Sequence, residues 1–209
     1  MMLQDEIDCA FTTLTHYDLI PYVANKINAQ SYLEIGCASD DCFRLIEAKH
    51  KIGVDPVRGG THKMTSDQFF AENKETFDVI FVDGMHKYEQ VIKDVDNALQ
   101  ILNPNGIIFM HDVLPAHRYN AVPDKKQKPK GVVAWNGDVW RASFEIASRN
   151  DLRFNVFTCR HGVGIIQNLP THNPLSLNNT SWEDYLNNWN KLSKLSTLED
   201  VDKILSIRE

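Results

Sequence analysis

The chain reads as an α/β protein built on a mostly parallel sheet with helices on both faces. Three observations carry that reading. Short apolar runs alternate with amphipathic stretches from Ser31 to Met110. Ser31-Tyr-Leu-Glu-Ile-Gly-Cys37 is followed, twenty-one residues after Glu34, by the acid of Ile52-Gly-Val-Asp-Pro56, so the pair reads as strand, glycine turn, helix, strand, acid. Acids and histidines also stand directly after two later apolar runs, as Asp83 and His86 and as His111 and Asp112.

The elements follow in order. Residues 1–30 read as covering helices, with Leu19, Ile20, Val23 and Ile27 on one face and Pro21 near a helix start. Then come strand Tyr32 to Ile35, helix Cys42 to Ala48, strand Ile52 to Val54, a helix around Gln68 to Asn73 and strand Phe77 to Val82. Helix Tyr88 to Leu102 carries the stripe Val91, Val95, Ala98, Leu99 and Leu102, Asn103-Pro-Asn-Gly106 signals a turn, and strand Gly106 to Met110 follows. Residues 114–137 are rich in proline and lysine and read as a long mobile loop of the kind that closes over a site. Helix Val139 to Arg149 and a tight hairpin, Arg153 to Cys159 with Gly162 to Gln167, place an antiparallel hairpin at the sheet edge. Residues 169–209 form a helical tail: Trp182, Tyr185, Leu186, Trp189 and Leu192 share a helical face, and Ser196-Thr-Leu-Glu199 reads as a capping box. The central domain thus spans 31–168.

Composition narrows the function. A chain of 209 residues with 43% apolar residues can bury one substantial core. A net charge of −6 argues against general nucleic-acid binding, which needs basic surface. No stretch approaches the roughly 20 apolar residues of a membrane span. Asp5, Glu6 and Asp8 stand where a signal peptide would be basic and then apolar, so the expected compartment is the cytoplasm. Cys9, Cys37, Cys42 and Cys159 show no paired spacing and read as reduced thiols. The Asn178-Asn-Thr180 sequon carries no meaning without secretion.

The first turn selects the nucleotide. A dinucleotide site wants three glycines, and only Gly36 stands in place. Ser39, Asp40 and Asp41 fall at the expected helix start, where they would repel a pyrophosphate but accept a cationic ligand; they would equally cap the helix and complement its dipole. S-adenosylmethionine (SAM), an adenosine with a sulfonium and an ammonium but no phosphate, fits such a turn, with Asp55 placed for the ribose hydroxyls. Because ligands of open α/β sheets bind at the carboxyl ends of the strands, Asp83, His86, His111 and Asp112 should share a rim with Gly36 and Asp55. Each has a plainer alternative: Asp83 as a helix cap, His86 as a surface histidine, His111 as a packed strand-end residue. Asp112 is the hardest to explain so, because a carboxylate ending a buried strand needs a cation or donors.

With Leu33-Glu-Ile-Gly36, Gly53-Val-Asp55, Val82-Asp-Gly-Met-His86 with Tyr88, Pro104 to Gly106 and His111-Asp112 in view, residues 30–168 resemble the class I SAM-dependent methyltransferases. More narrowly they are similar to the bacterial group of macrolide-sugar O-methyltransferases and cephalosporin hydroxylase-like proteins. The resemblance implies a Rossmann-like seven-stranded sheet, a cofactor held by Glu34, Gly36, Asp40, Asp55 and Asp83, and Ser66 and Asp67 near adenine. It also implies catalysis by His86 as base with Asp112 and His111, and a divalent metal, magnesium or manganese, on Asp83, Asp112 and His111. The group has a carboxylate where this chain has His111 and a glycine where it has Asp40. Imidazole among the ligands favours manganese, iron or zinc over magnesium. The expected partner is a small-molecule acceptor, a sugar or natural-product intermediate, with Trp135, Asp138, Trp140 and Arg141 beside it and homo-oligomer contacts through the tail. Two other readings remain open: a catalytically silent SAM-fold assembly protein and an NAD-linked oxidoreductase.

Overall fold

The computed structural model describes residues 5–171, 173–176 and 181–206; the Asn178 sequon lies outside them. Seven strands form one sheet: β1 (Ser31–Ile35), β2 (His50–Val54), β3 (Phe77–Val82), β4 (Leu102–Leu114), β5 (Arg153–Phe157), β6 (His161–Gln167) and β7 (Lys194–Leu195). Their order is β2-β1-β3-β4-β6-β5-β7. Only β6 runs against the rest, antiparallel to both β4 and β5, while β7 joins β5 in parallel outside the predicted hairpin.

The parallel strands are buried on both faces, which is why they read as continuous apolar runs and not as alternating ones. On one face, helices α2 (Ser66–Glu72), α3 (Tyr88–Gln100), α4 (Trp140–Ala147) and α5 (Trp182–Asn188) pack Phe69, Val95, Phe144 and Tyr185 with Leu33, Ile80 and Ile108. On the other, α1 (His16–Lys26) and α6 (Leu198–Ser206) pack Leu19, Ile20, Val23, Val201 and Leu205 with Tyr32, Phe81 and Phe109.

Several expectations shift. Within the described part of residues 1–30, only α1 is helical; before it the chain runs across the fold, Glu6 N–H donating to Ala116 O at 2.7 Å and Thr12 N–H to Thr158 O at 2.9 Å. The helix expected at Cys42 to Ala48 is a single 3₁₀ turn, Phe43–Leu45, because Ala38 (φ 47°) and Asp40 (φ 62°) turn the chain out of a helical approach. Asn103 to Gly106 is not a turn before the strand but a bulge inside β4, between the pairs Phe77 with Leu102 and Val79 with Ile107. The last helix is capped one residue later than expected, Asp200 N–H donating to Thr197 Oγ1 at 3.1 Å.

The tail packs back onto the domain. Tyr185 and Val201 are fully buried, the Tyr185 hydroxyl donates to Pro115 O at 3.0 Å, and β7 completes the sheet. Of the apolar face expected in the tail, Tyr185 and Leu192 are buried in the domain, while Trp182, Leu186 and Trp189 pack partly buried against the same core.

Candidate active site

The strand order reverses direction at β1, which opens a crevice above the carboxyl ends of β1 and β3. Gly36 makes the crevice. Its N–H donates to Val54 O at 2.8 Å and its φ is 89°, and a Cβ there would lie 2.2 Å from Asp83 O. Asp83 N–H in turn donates to Ile35 O at 2.8 Å, so the ends of three strands are locked by backbone alone.

A cavity of about 700 Å³ opens here, lined among others by Gly36, Asp55, Ser66, Asp67, Asp83, Gly84, His86 and Gln90. Its size lies within the roughly 300–1,000 Å³ of small-molecule sites. Asp55 ends β2 with one oxygen accepting from Val57 N and Arg58 N at 2.8 and 2.9 Å and the other from Ala38 N at 3.0 Å. Burial works against its charge, but those three amides outweigh it and hold the carboxyl below its ordinary range. On the opposite wall Gln90 Nε2 donates to Ser66 Oγ, Asp67 Oδ1 and buried Asp94 Oδ1 at 3.3, 3.0 and 3.0 Å, tying α2 to α3.

Two residues expected at this ligand do not border the cavity. Glu34 points into the opposite layer, where it is 2% exposed and accepts from the Tyr32 hydroxyl at 2.5 Å; burial lifts its carboxyl to about 8. Asp40 accepts from Gly60 N at 2.6 Å and staples the β1 loop to the β2 loop. Its carboxylate therefore guards no helix start, and the case against a dinucleotide rests on the missing glycines alone.

The other half of the rim is a cluster of imidazoles and carboxylates. Asp112 sits at φ 63° where β4 shifts register against β6, and this turns its carboxylate inward, 5% exposed. One oxygen lies 2.9 Å from His86 Nδ1, and the other accepts from Asn136 Nδ2 at 2.8 Å. His86 Nδ1 also faces Trp135 O at 3.1 Å, and since both neighbours are acceptors Nδ1 carries the proton. That leaves Nε2 3.6 Å from Asp83 Oδ1, on the cavity side. His111 Nδ1 faces Asp83 at 3.3 Å and Asp112 at 3.7 Å.

Electrostatics follows the geometry. Burial opposes a charge on His111, yet the two carboxylates outweigh it and lift the imidazole to about 9. Burial likewise opposes His86, and the hydrogen bond to Asp112 raises it nonetheless. Asp112 is held down, against burial, by His111 and His86.

Sequence reasoning missed three members, His16, His161 and Asn136. His16, on the first turn of α1, stands with its ring 4.3 Å from that of His111, and burial pushes it down to about 4. His161 lies 4.0 Å from Asp112 and faces Asn136 Oδ1 at 3.2 Å. No local motif marks them; His161 is visible only as one of the two residues, with Arg160, between the expected hairpin strands. Of the loop residues singled out, Trp135 stacks on His86 at 5.0 Å and 11°, while Trp140 belongs to the core at 4% exposure. Asp138 caps α3 by accepting from Tyr88 N at 2.9 Å and pairs with Arg141 at 3.3 Å. The loop is strapped rather than free: Trp135 Nε1 donates to Val122 O, Asn120 Nδ2 to Ala134 O and Asn136 N to Asn120 O. Gly137 completes it at φ 64°, so close to His86 O that a Cβ would lie 1.8 Å away.

One ligand atom each from Asp83, His86 and Asp112 lie within 4.8 Å of one another, so the group that could hold a metal contains His86 where His111 was expected. Two carboxylates and an imidazole fit a divalent metal, and nitrogen in the set suits manganese, iron or zinc better than magnesium.

Comparison with known proteins agrees with this architecture. A family model described as a methyltransferase domain matches residues 22–113. No curated protein matches the chain significantly. Among solved structures, an S-adenosylhomocysteine (SAH)-bound methyltransferase of Podospora anserina superposes with a TM-score of 0.55 at 18% identity, over 73% of this chain and 77% of the other. An O-methyltransferase of Bacillus cereus in complex with SAH gives 0.53 at 14%, over 74% and 81%. The O-methyltransferase TomG of Streptomyces achromogenes, involved in tomaymycin synthesis and in complex with SAM, gives 0.52 at 14%, over 78% and 84%. The chain has the class I SAM-dependent methyltransferase fold, and its methyltransferase-domain match runs from α1 through β4 to Val113.

Proposed function

We propose that the protein is a SAM-dependent O-methyltransferase that methylates a hydroxyl of a small molecule, a sugar or a natural-product intermediate. The observation that carries this reading is the His86–Asp112 pair at 2.9 Å, whose His86 stands on the wall of a cavity built on the Gly36 turn. Three features of the cavity support SAM: Gly36 lets the β1 and β3 ends close, Asp55 retains acceptor capacity beyond its three amides, and Ser66 and Asp67, the residues expected near adenine, line it together with Gln90. The missing glycines stand against NAD, and a tail spent on its own sheet stands against a pure assembly role.

Methyl transfer from a sulfonium is an in-line displacement in which the donor loses its charge. Most of the acceleration comes from holding the acceptor oxygen against the methyl group, worth about 7–11 kcal/mol in favourable cases. His86 takes the hydroxyl proton at Nε2, since Nδ1–H is donated to Asp112 and Trp135 O. Such a base adds about 10²–10⁴-fold. Asp112, itself held by Asn136, fixes the tautomer, and the stacked Trp135 ring excludes water from one imidazole face. Asp83, His86 and Asp112 would hold a metal, whose chemistry when bound is to polarise the acceptor hydroxyl. His86 then serves either as ligand or as base, not as both at once.

Calorimetric titration with SAH, beside NADH, after chelation and after adding magnesium or manganese, tests the reading. The expected result is micromolar SAH binding, no NADH binding, and direct manganese binding tighter than that of magnesium. Absence of SAH binding under every metal condition would overturn the methyltransferase reading.

A further inference from the structure

The chain is acidic, with 28 Asp and Glu against 22 Lys and Arg, but its loop between β4 and α4 is not. Between Pro115 and Gly137 stand Arg118, Lys125, Lys126, Lys128 and Lys130 against the single acid Asp124. Some of that charge is used in the fold: Arg118 pairs with Glu6 at 3.2 Å, and Lys128 Nζ donates to Val133 O at 2.6 Å. Asp124 is also occupied, accepting from Lys126 N at 2.9 Å to open the 3₁₀ turn Lys125–Gln127. Lys125, Lys126 and Lys130 are exposed, and no described carboxylate pairs with them.

One of these cations sits beside the chemistry. Lys125 Nζ stands 5.7 Å from the centre of the Trp135 ring, whose indole stacks on His86 at 5.0 Å. Three bonds strap the two arms of the loop together, and the capped 3₁₀ turn fixes the backbone that carries Lys125 and Lys126. A neutral hydroxylated acceptor would have no use for an exposed cation two ring contacts from the base, with two more on the same loop. In an otherwise acidic field, a local basic patch draws an anionic ligand to that side of the rim alone.

We propose that the acceptor carries an anionic group, phosphate or carboxylate, bound by Lys125, Lys126 and Lys130 while its hydroxyl lies at His86. This deepens the methyltransferase reading and rests on it for the role of His86.

The test is calorimetry on the full chain saturated with SAH, using inorganic pyrophosphate and galacturonate as probes, repeated with the triple variant K125A/K126A/K130A. All three side chains are exposed, so the fold and SAH binding should persist. At least one probe is expected to bind with a dissociation constant below a millimolar, weakened at least about tenfold in the variant and by added salt. Pyrophosphate alone binding supports a phosphorylated acceptor, and galacturonate alone a carboxylated one. If SAH binds but neither probe does, or if the variant binds them equally well, the anion site is overturned and the methyltransferase reading stands. If the probes bind in a lysine-dependent way without SAH binding, the anion site stands and the cofactor reading falls.

Discussion

On the β1–β2 side of the rim the cavity is shaped by backbone: Gly36 N–H on Val54 O, Asp83 N–H on Ile35 O, and three amides on Asp55. On the β4–β6 side it is shaped by side chains, with Asp112, His86, His111, His161 and Asn136 meeting at a register shift where Asp112 and His161 both take positive φ, 63° and 74°. The first half offers fixed dipoles to a ligand of constant structure, as a cofactor is. The second offers titratable groups and an appended loop, the parts by which one scaffold serves different acceptors.

The two halves should be separable by mutation. Asp112→Asn keeps a residue type that accepts φ 63° but replaces the carboxylate that orients His86. Turnover on a hydroxylated acceptor is expected to fall about 10²–10⁴-fold. SAH affinity should stay within about twofold, because Asp112 does not border the cavity. Equal losses of turnover and SAH affinity would show that the halves are one unit.

Gly36→Ala attacks the other half. The new Cβ meets Asp83 O at 2.2 Å from a φ of 89°, so β1 and β3 must part at their ends. A cost of about 1–3 kcal/mol in stability is expected, with SAH affinity lost by more than about tenfold. A variant that binds SAH like the parent would remove Gly36 from the cofactor site.

The same contrast explains what the sequence disclosed. Gly36, Asp55 and Asp83 lie at the ends of consecutive buried strands, so periodicity alone places them on one rim. His16, Asn136 and His161 reach that rim from α1, from a loop arm and from the strand antiparallel to β4, and nothing local in the chain announces such meetings. The misreading of Asp40 has a physical cause as well. A Ser-Asp-Asp run before apolar residues signals a helix cap, but here positive φ at Ala38 and Asp40 replaces the helix and sends the carboxylate to Gly60. Glu34 was misplaced because strand residues alternate between faces: Ile35 borders the cavity, so its neighbour Glu34 faces the α1 layer.

Glu34 yields the smallest effect and a sharp one. Its carboxyl sits near 4.5 when free and is lifted to about 8 in the fold, first by burial and despite the Tyr32 hydroxyl. The folded state therefore holds a proton that the unfolded chain has released between those two values, and stability present below pH 4.5 is progressively lost as pH rises toward 8. Glu34→Gln keeps an acceptor for Tyr32 and cannot ionise. Its thermal midpoint should match the parent at the acid end of that window and exceed it at the alkaline end, with SAH affinity unchanged. Parallel curves would mean that Glu34 is ionised in the fold, and a loss of SAH affinity would return it to the cofactor half. The expected result removes Glu34 from the cofactor half and leaves the first motif's acid serving the layer beneath.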